Sequence, residues 1–342
     1  RRLFARSRAV RARGVVMVGK VTADTSQSCS QLPAIMGLSP WSSQNEVLAT
    51  ISAARDGEPR PWVPRPAQKE TMDWGSALEP AIAQEALARL RLDGTLGIQR
   101  AVIHPELPLQ ASLDGIAYGT GEPWRTGNGV FVFPAKEGAS SVHLQGEGPL
   151  EIKLTSATPE DEIPLWRGPL QLQGQMMCMD AGWGALAVLY SGRGFEMRIY
   201  IFEEDPATQE AITAAVYEME QHLESGEPFP VTAPDDGPVA YPVVQQTDTK
   251  ILPEEAAQIV NDLADAKATI SSMEKIVKTT TAALMDIMGN HEYAATEGWQ
   301  IQWPMRKVHA KPTEIKPEVF AHEVRAKSLK LKPMEDVKGV PL

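Results

Sequence analysis

Glu151 and Lys153 are residues whose types and spacing invite chemistry. They alternate with Leu150, Ile152 and Leu154 in the stretch Gly148-Pro149-Leu150-Glu151-Ile152-Lys153-Leu154. In an extended strand successive side chains point to opposite faces, so the apolar residues share one face and the acid and base share the other. Such a pair can be a plain salt bridge or a device for handling a metal ion and water. Upstream stands Asp114 in Ser112-Leu113-Asp114-Gly115, where Asp-Gly marks a turn or bulge within or beside a sheet. Two carboxylates from neighbouring strands can bind Mg²⁺, which takes hard oxygen ligands and keeps several waters. A lysine on the face of the second carboxylate could orient or deprotonate a water there, an arrangement that suits hydrolysis of a phosphodiester. A third carboxylate, Glu79, follows Trp74-Gly75-Ser76-Ala77-Leu78 and falls inside a helical apolar stripe of Leu78, Ile82, Ala83, Ala86, Leu87 and Leu90. A carboxylate on a buried face needs a partner. Near a helix N-terminus the dipole alone also favours it.

The elements that must position these residues can be read in order. Ser30 could cap a short helix over Gln31 to Met36, with Pro33 in its first turn and Gly37 ending it. Residues 57–69, rich in Pro, Gly and Arg, read as a loop leading to the Glu79 helix. Ile98 to Ile103 and Leu109 to Tyr118 read as strands, and the Gly-rich stretch 119–148 as a hairpin insertion before the Glu151 strand. Residues 165–180 read as a helix with Gln171 and Gln175 one turn apart on a shared face and Gln173 pointing elsewhere. Ala185 to Tyr190 and Glu196 to Phe202 follow as a hairpin. This order predicts an α/β (α+β) core with a central mixed sheet flanked by helices.

Beyond residue 205 an amphipathic helix carries Ile212, Val216, Met219 and Leu223, and 227–253 is Pro-rich. A long helix then shows Ile259, Leu263, Ala266, Ile270, Met273, Val277, Leu284 and Ile287 at spacings of three and four, stopping at Gly289-Asn290. Its simplest partner is the 207–224 helix. The expected organisation is a basic arm at 1–24, a core at 25–205, a helical region at 206–297 and a basic tail at 298–342 with short strands at Trp299 to Trp303 and Ser328 to Leu331.

The composition, 43% hydrophobic and 23% charged, is that of a globular protein. A net charge of −11 excludes indiscriminate nucleic-acid binding, so contact with DNA needs a local basic surface. Two cysteines, Cys29 and Cys178, exclude a disulfide framework and a Cys-rich zinc site, and fit a reducing cytoplasm. No apolar run is long enough to span a bilayer, so no membrane partner is expected.

Four blocks in order resemble the YqaJ-type viral recombinase family, relatives of phage lambda exonuclease within the PD-(D/E)XK nuclease superfamily. They are Ser30 with Ala34-Ile35-Met36-Gly37-Leu38-Ser39-Pro40-Trp41; Trp74 to Pro80; Ser112-Leu113-Asp114-Gly115 with Leu150-Glu151-Ile152-Lys153; and Gln171-Leu172-Gln173-Gly174-Gln175-Met176. The resemblance implies a restriction-endonuclease-like core and a Mg²⁺-dependent DNA exonuclease, with Mn²⁺ as a substitute, resecting duplex ends 5′ to 3′ in phage-type recombination. It implies Asp114 and Glu151 as metal ligands with the Ile152 carbonyl, Glu79 in the outer part of the metal site, and Lys153 positioning the water. Gln171 would hold the site, and Ser30 and Ser112 would bond a DNA phosphate. Implied partners are double-stranded DNA ends, a single-strand annealing protein and further copies in a trimeric ring, in a host cytoplasm. The alternatives within reach are an endonuclease of the same superfamily and a non-catalytic end-binding protein. The chain departs from the pattern at Ala23, where the family often has an arginine seven residues before the Ser30 position, and in the long separation of Asp114 from Glu151.

Overall fold

The computed structural model describes residues 21–59, 66–192, 194–243, 250–296 and 299–303. The basic arm at 1–20 and the tail beyond 303, with its basic cluster and the expected strand Ser328 to Leu331, lie outside those residues.

Strand β1 (Gln27–Ser28) leads through a single 3-10 turn, Cys29–Gln31, into α1 (Leu32–Ile35). Ser28 rather than Ser30 caps the turn. The Gln31 Oε1 accepts both the Ser28 N–H at 3.1 Å and its hydroxyl at 2.9 Å, which leaves the Ser30 side chain exposed. Helix α2 (Gln44–Arg55) opens on a reciprocal capping box. Ser43 accepts the Glu46 N–H, and the Glu46 carboxylate accepts the Ser43 N–H, both at 3.1 Å. Helix α3 (Pro66–Leu90) starts well before the expected site, so that Trp74 and Pro80 lie inside it. Pro80 lacks one helical N–H, and the good helix formers upstream of it, such as Lys69, Glu70 and Met72, carry the helix across that loss.

Next come β2 (Asp93–Leu96), β3 (Val102–Ile103), β4 (Leu109–Ala111), β5 (Gly115–Trp124), β6 (Val130–Phe133) and β7 (Val142–Thr155). The expected strand Leu109 to Tyr118 is therefore two strands, broken at Ser112-Leu113-Asp114, and the Glu151 strand is the second half of the 14-residue β7. After a 3-10 turn at Leu165–Arg167 follow α4 (Pro169–Met179), β8 (Trp183–Tyr190), β9 (Glu196–Glu203), α5 (Pro206–Ser225) and α6 (Gly237–Ala240). Asp205 caps α5, and Gly226, at φ +71°, ends it in the left-handed conformation that glycine adopts without strain.

The central sheet is mixed, with strand order β2-β5-β7-β8-β9-β6. β7 and β8 run parallel, as do β9 and β6, and the other neighbours are antiparallel. The stretch between β5 and β7 is more than a hairpin, because β6 crosses to the far edge and pairs with β9. A small second sheet has the order β1-β4-β3. Leu150, Ile152, Ala185 and Ala187 pack against Ile82, Ala83, Ala86 and Leu90 of α3. Leu186, Val188 and Tyr190 pack on the opposite face against Leu172 and Met176 of α4. Alternation along β7 therefore turns Glu151 and Lys153 toward α4.

This first compact unit extends to Tyr241, past the expected boundary at residue 205. The reason is α5. Its Ile212, Val216 and Met219 are buried in one cluster with Leu32, Ile35, Val47 and Ile51, so its apolar face is part of the first unit's own core. The second unit, Pro242–Leu342, contains α7 (Glu255–Met288) and a hairpin of β10 (Tyr293–Thr296) and β11 (Trp299–Gln302). No helix among the described residues is long and apolar enough to cross a membrane.

Because α5 belongs to the first core, Ile212→Ala should lower the stability of that unit by about 2–5 kcal/mol through a residual cavity. Urea unfolding of wild type and variant measures this, and an unchanged midpoint would show that α5 is an appendage.

Candidate active site

The ladder between β7 and β5 ends at Leu150 opposite Gly115, whereas the ladder between β7 and β8 continues to Thr155 opposite Tyr190. The N–H of Ile152 therefore meets the bend before β5 rather than a strand, and the Asp114 Oδ2 accepts it at 2.8 Å. The N–H and C=O of one strand residue point to the same side, so the Ile152 carbonyl also turns to the edge that Asp114 occupies. This is how the break at Ser112-Leu113-Asp114 brings the carboxylate of Asp114 to the Glu151 strand.

On the α4 face Glu151 is only 2% exposed. Its Oε1 accepts from the Lys153 Nζ at 2.6 Å, and its Oε2 accepts from the Gln175 Nε2 at 2.6 Å. Lys153, half-buried, also donates to the Gln171 Oε1 at 2.8 Å. Gln175 donates in addition to the Ser112 carbonyl at 3.3 Å. Its own Oε1 is buried with no hydrogen-bond partner among the described residues. Gln171 and Gln175 reach the strand together because residues four apart share a helix face. Gln173, as expected, points away, donating to the Glu203 carbonyl at 2.8 Å. Gly174 allows the Cys29–Gln31 turn to close on α4, since a Cβ there would lie 2.4 Å from Leu32 and 3.1 Å from the Cys29 sulfur.

Negative charge is in excess here. Burial, then the charge of Glu151, pushes the Asp114 carboxyl well above the usual carboxylate range, against the pull of Lys153 and the Ile152 N–H. Burial and Glu151 also raise Glu79, again opposed by Lys153. Burial would lower Lys153, but the charge and hydrogen bond of Glu151, with Asp114 and Glu79 behind them, raise it instead, so the ammonium stays charged. Three carboxyls thus act on one ammonium. A divalent cation would relieve that excess, and the donors are carboxylate and carbonyl oxygens, which suit Mg²⁺ or Mn²⁺. Among the described residues no three His, Cys, Asp or Glu side chains could hold a metal together. The oxygens that the structure places around this stretch of β7 are the carboxylates of Asp114 and Glu151 and the Ile152 carbonyl.

A cleft of about 660 Å³ opens beside Lys153, lined also by Ser30, Trp41, Trp166, Arg167 and Gln171. The structure brings Ser30, Lys153 and Gln171 to one cavity. Ser112 does not line it; its hydroxyl accepts the Val21 N–H at 3.4 Å. Glu79, half-buried on α3, is coupled to the cluster by charge rather than by a described hydrogen bond. Three residues escaped the sequence reading as site members. Gln175 was marked only by its one-turn spacing from Gln171. Trp166 and Arg167 carried no signal, because their place depends on how the loop before α4 closes. The Arg167 guanidinium lies 4.7 Å from the centre of the Trp166 ring and pairs with Glu160.

Residues 19–178 match the model of the YqaJ-like viral recombinase domain, the family that the sequence blocks resemble. The matched stretch contains Ser30, Glu79, Asp114, Glu151, Lys153, Gln171 and Gln175. No curated protein matches the chain in sequence. Among solved structures, an alkaline exonuclease, LHK-Exo from Laribacter hongkongensis, is similar at 16% identity and a TM-score of 0.39, over 59% of this chain and 92% of that one. LHK-Exo in complex with dAMP is similar at 16% identity and a TM-score of 0.37, over 60% and 93%. The structure of SSO0001 is similar at 13% identity and a TM-score of 0.32, over 68% and 91%.

The charge excess has a measurable sign. Asp114 holds its proton more tightly folded than unfolded, so between the two pKa values the folded state carries more protons and stability falls as pH rises. Asp114→Asn removes that penalty and keeps an acceptor for the Ile152 N–H. In metal-free buffer the variant should resist urea better than wild type near about pH 8, with the gap closing as pH falls toward the ordinary carboxylate value of about 4. A variant less stable at every pH would show Asp114 to be a needed counter-charge for Lys153 instead.

Proposed function

We propose that the first unit is a metal-dependent nuclease that hydrolyses phosphodiester bonds at duplex DNA ends, an exonuclease of a phage-type recombination system. The observation that carries this is the meeting, at one place on β7, of Asp114 on the Ile152 N–H with the Glu151, Lys153, Gln171 and Gln175 cluster. A Mg²⁺ held by Asp114, Glu151 and the Ile152 carbonyl would acidify water and offset the charge that grows on the phosphate. Both oxygens of Glu151 already accept one hydrogen bond each, and a carboxylate oxygen has a second lone pair free for a cation. Lys153, kept protonated, cannot take a proton. Its part is to donate to the attacking water or to a phosphate oxygen, with its Nζ fixed by Glu151 and Gln171. Gln175 locks the second oxygen of Glu151, and Glu79 adds field from outside the ligand set.

End recognition follows from the cleft. The exposed Ser30 and the cation Arg167 line the same cavity as Lys153. In this reading Arg167 supplies, from the loop before α4, the positive charge that Ala23 does not, and the two hold a 5′-terminal phosphate. That orientation makes resection run 5′ to 3′. Ser112 supports the site through its carbonyl on Gln175 rather than through a phosphate contact. An annealing protein that receives the exposed strand, a ring of three copies and a host cytoplasm belong to the proposal by family resemblance.

Incubation with linear and closed circular duplex, with and without Mg²⁺, tests the core of this. Linear DNA alone should be degraded, only with metal, and Lys153→Ala should slow it by about a hundredfold or more. Cutting of closed circles would replace the exonuclease with an endonuclease, and binding without cleavage would leave an end-binding protein. Full metal-dependent activity in Glu151→Gln would remove Glu151 from the ligand set.

A second comparison uses 5′-phosphorylated and 5′-hydroxyl ends. Wild type should prefer the phosphate, and Arg167→Ala should raise KM for phosphorylated ends by about ten- to a hundredfold, the worth of a charged hydrogen bond. Equal rates on both ends in wild type would take the phosphate role from Ser30 and Arg167.

A further inference from the structure

We propose that α7 is one strand of a parallel coiled coil formed between copies of this chain. The helix has 34 residues. Helices in water owe their stability mostly to burial of an apolar face, yet most of the large apolar side chains of α7 are exposed, with Leu263 and Met285 partly buried and Met288 buried. Ile259 is 69% exposed, Ile270 57%, Val277 62% and Ile287 82%.

The pattern says what covers them. Leu263, Ile270, Val277 and Leu284 recur every seven residues, and Ile259, Ala266, Met273, Thr280 and Ile287 recur every seven residues between them. The steps alternate four, three, four, three without a break through four heptads. A strict 3.5-residue repeat keeps its seam toward a partner helix that supercoils with it, whereas a helix lying on a globular core shows a broader 3.6-residue stripe. Beside the middle of this seam lies an open depression of about 410 Å³ lined by Ile270, Met273 and Val277 with Thr269, Glu274 and Lys278 at its flank.

The seam is complementary to itself. With Leu263 as the first a position, Ile270 and Val277 place β-branched residues at the two central a layers, a choice that suits parallel pairing. The flanking g and e positions face each other across a parallel pair at a step of five residues. Asp262 at g then meets Lys267 of the partner subunit at e, and the reciprocal contact repeats it. The other flanks set Thr269 against Glu274 and Ile276 against Thr281, so no like charges meet. The occupant is another copy of this chain, in register and in the same direction. This inference stands apart from the nuclease reading; it assigns self-association to α7, so that an assembly held by the first unit alone is the rival outcome, and its test involves no DNA.

The full chain is weighed by multi-angle light scattering and by analytical ultracentrifugation at about 50 µM, where an association of micromolar Kd is largely complete. The expected species is an oligomer. Ile270→Glu with Val277→Glu should weaken association by at least about a hundredfold, because two charges enter an apolar seam. An unchanged urea transition of the first unit would show that the fold is intact. Asp262→Lys should weaken it by about three- to tenfold, and adding Lys267→Asp should restore it, as exchange of an exposed ion pair predicts. Ala266→Cys should form an intersubunit disulfide under mild oxidation with oxidised glutathione, since equal positions face each other only in a parallel, in-register pair. A monomer at that concentration overturns the proposal and hands the seam to a different partner. An oligomer that survives the Ile270 and Val277 changes overturns it as well, placing assembly on another surface. Failure of Ala266→Cys to cross-link an oligomer overturns the parallel register.

Discussion

The burial of one charge governs the first unit. Glu151 sits 2% exposed in the middle of β7, and a carboxylate in that position is tolerable only when fully paired. Lys153 and Gln175 do the pairing. Removing one partner from a buried ion pair typically costs about 3–5 kcal/mol, so α4 must lie where Gln171 and Gln175 can reach the strand. Once α4 is there, Gly174 admits the Cys29–Gln31 turn, and that turn brings Ser30 to the cleft. The order of dependence runs from a desolvated carboxylate, through a helix position, to the shape of a cavity.

The same charge explains why the cluster is chemically loaded rather than neutral. A lone Glu151–Lys153 pair would balance. Asp114 and Glu79 add two more carboxyls to the one ammonium, and burial first, then the charge of Glu151, raises both. A core selected only for stability would have little use for that surplus, since apolar replacements of buried ion pairs are often neutral or stabilising.

Much of this was legible in the sequence, for reasons of period. Alternation fixed the facing of Glu151 and Lys153, and a four-residue step put Gln171 and Gln175 on one face, because both follow from backbone geometry alone. The mixed sheet between helices followed from element order. Long-range pairing was less legible. Nothing local in Val130 to Phe133 says that these residues travel to the far edge to join β9, and nothing in Ala185 to Tyr190 says which strand precedes it in the sheet. The start of α3 was placed too late because the Pro-, Gly- and Arg-rich stretch 57–69 reads as a loop, although the helix begins within it at Pro66 and runs through Pro80. Arg167 was invisible because its meaning comes from a loop closing on the cleft. The amphipathic α5 was matched to the next apolar stripe in the chain, whereas its buried face lies in one cluster with α4 and with α1 and α2, the last two more than 150 residues upstream.

The crossing of β6 also has a consequence in time. Val130 pairs with Ile199, about 70 positions later, and such distant pairings slow folding because a long loop must close first. The amide that secures Glu151 arrives 24 positions after it. At a synthesis rate of about 5–20 residues per second, the partner strand β9 is supplied several seconds after β6 has been made. The burial and pairing that load the cluster exist only once β8 and α4 have closed on β7, so the residues precede the centre that they form.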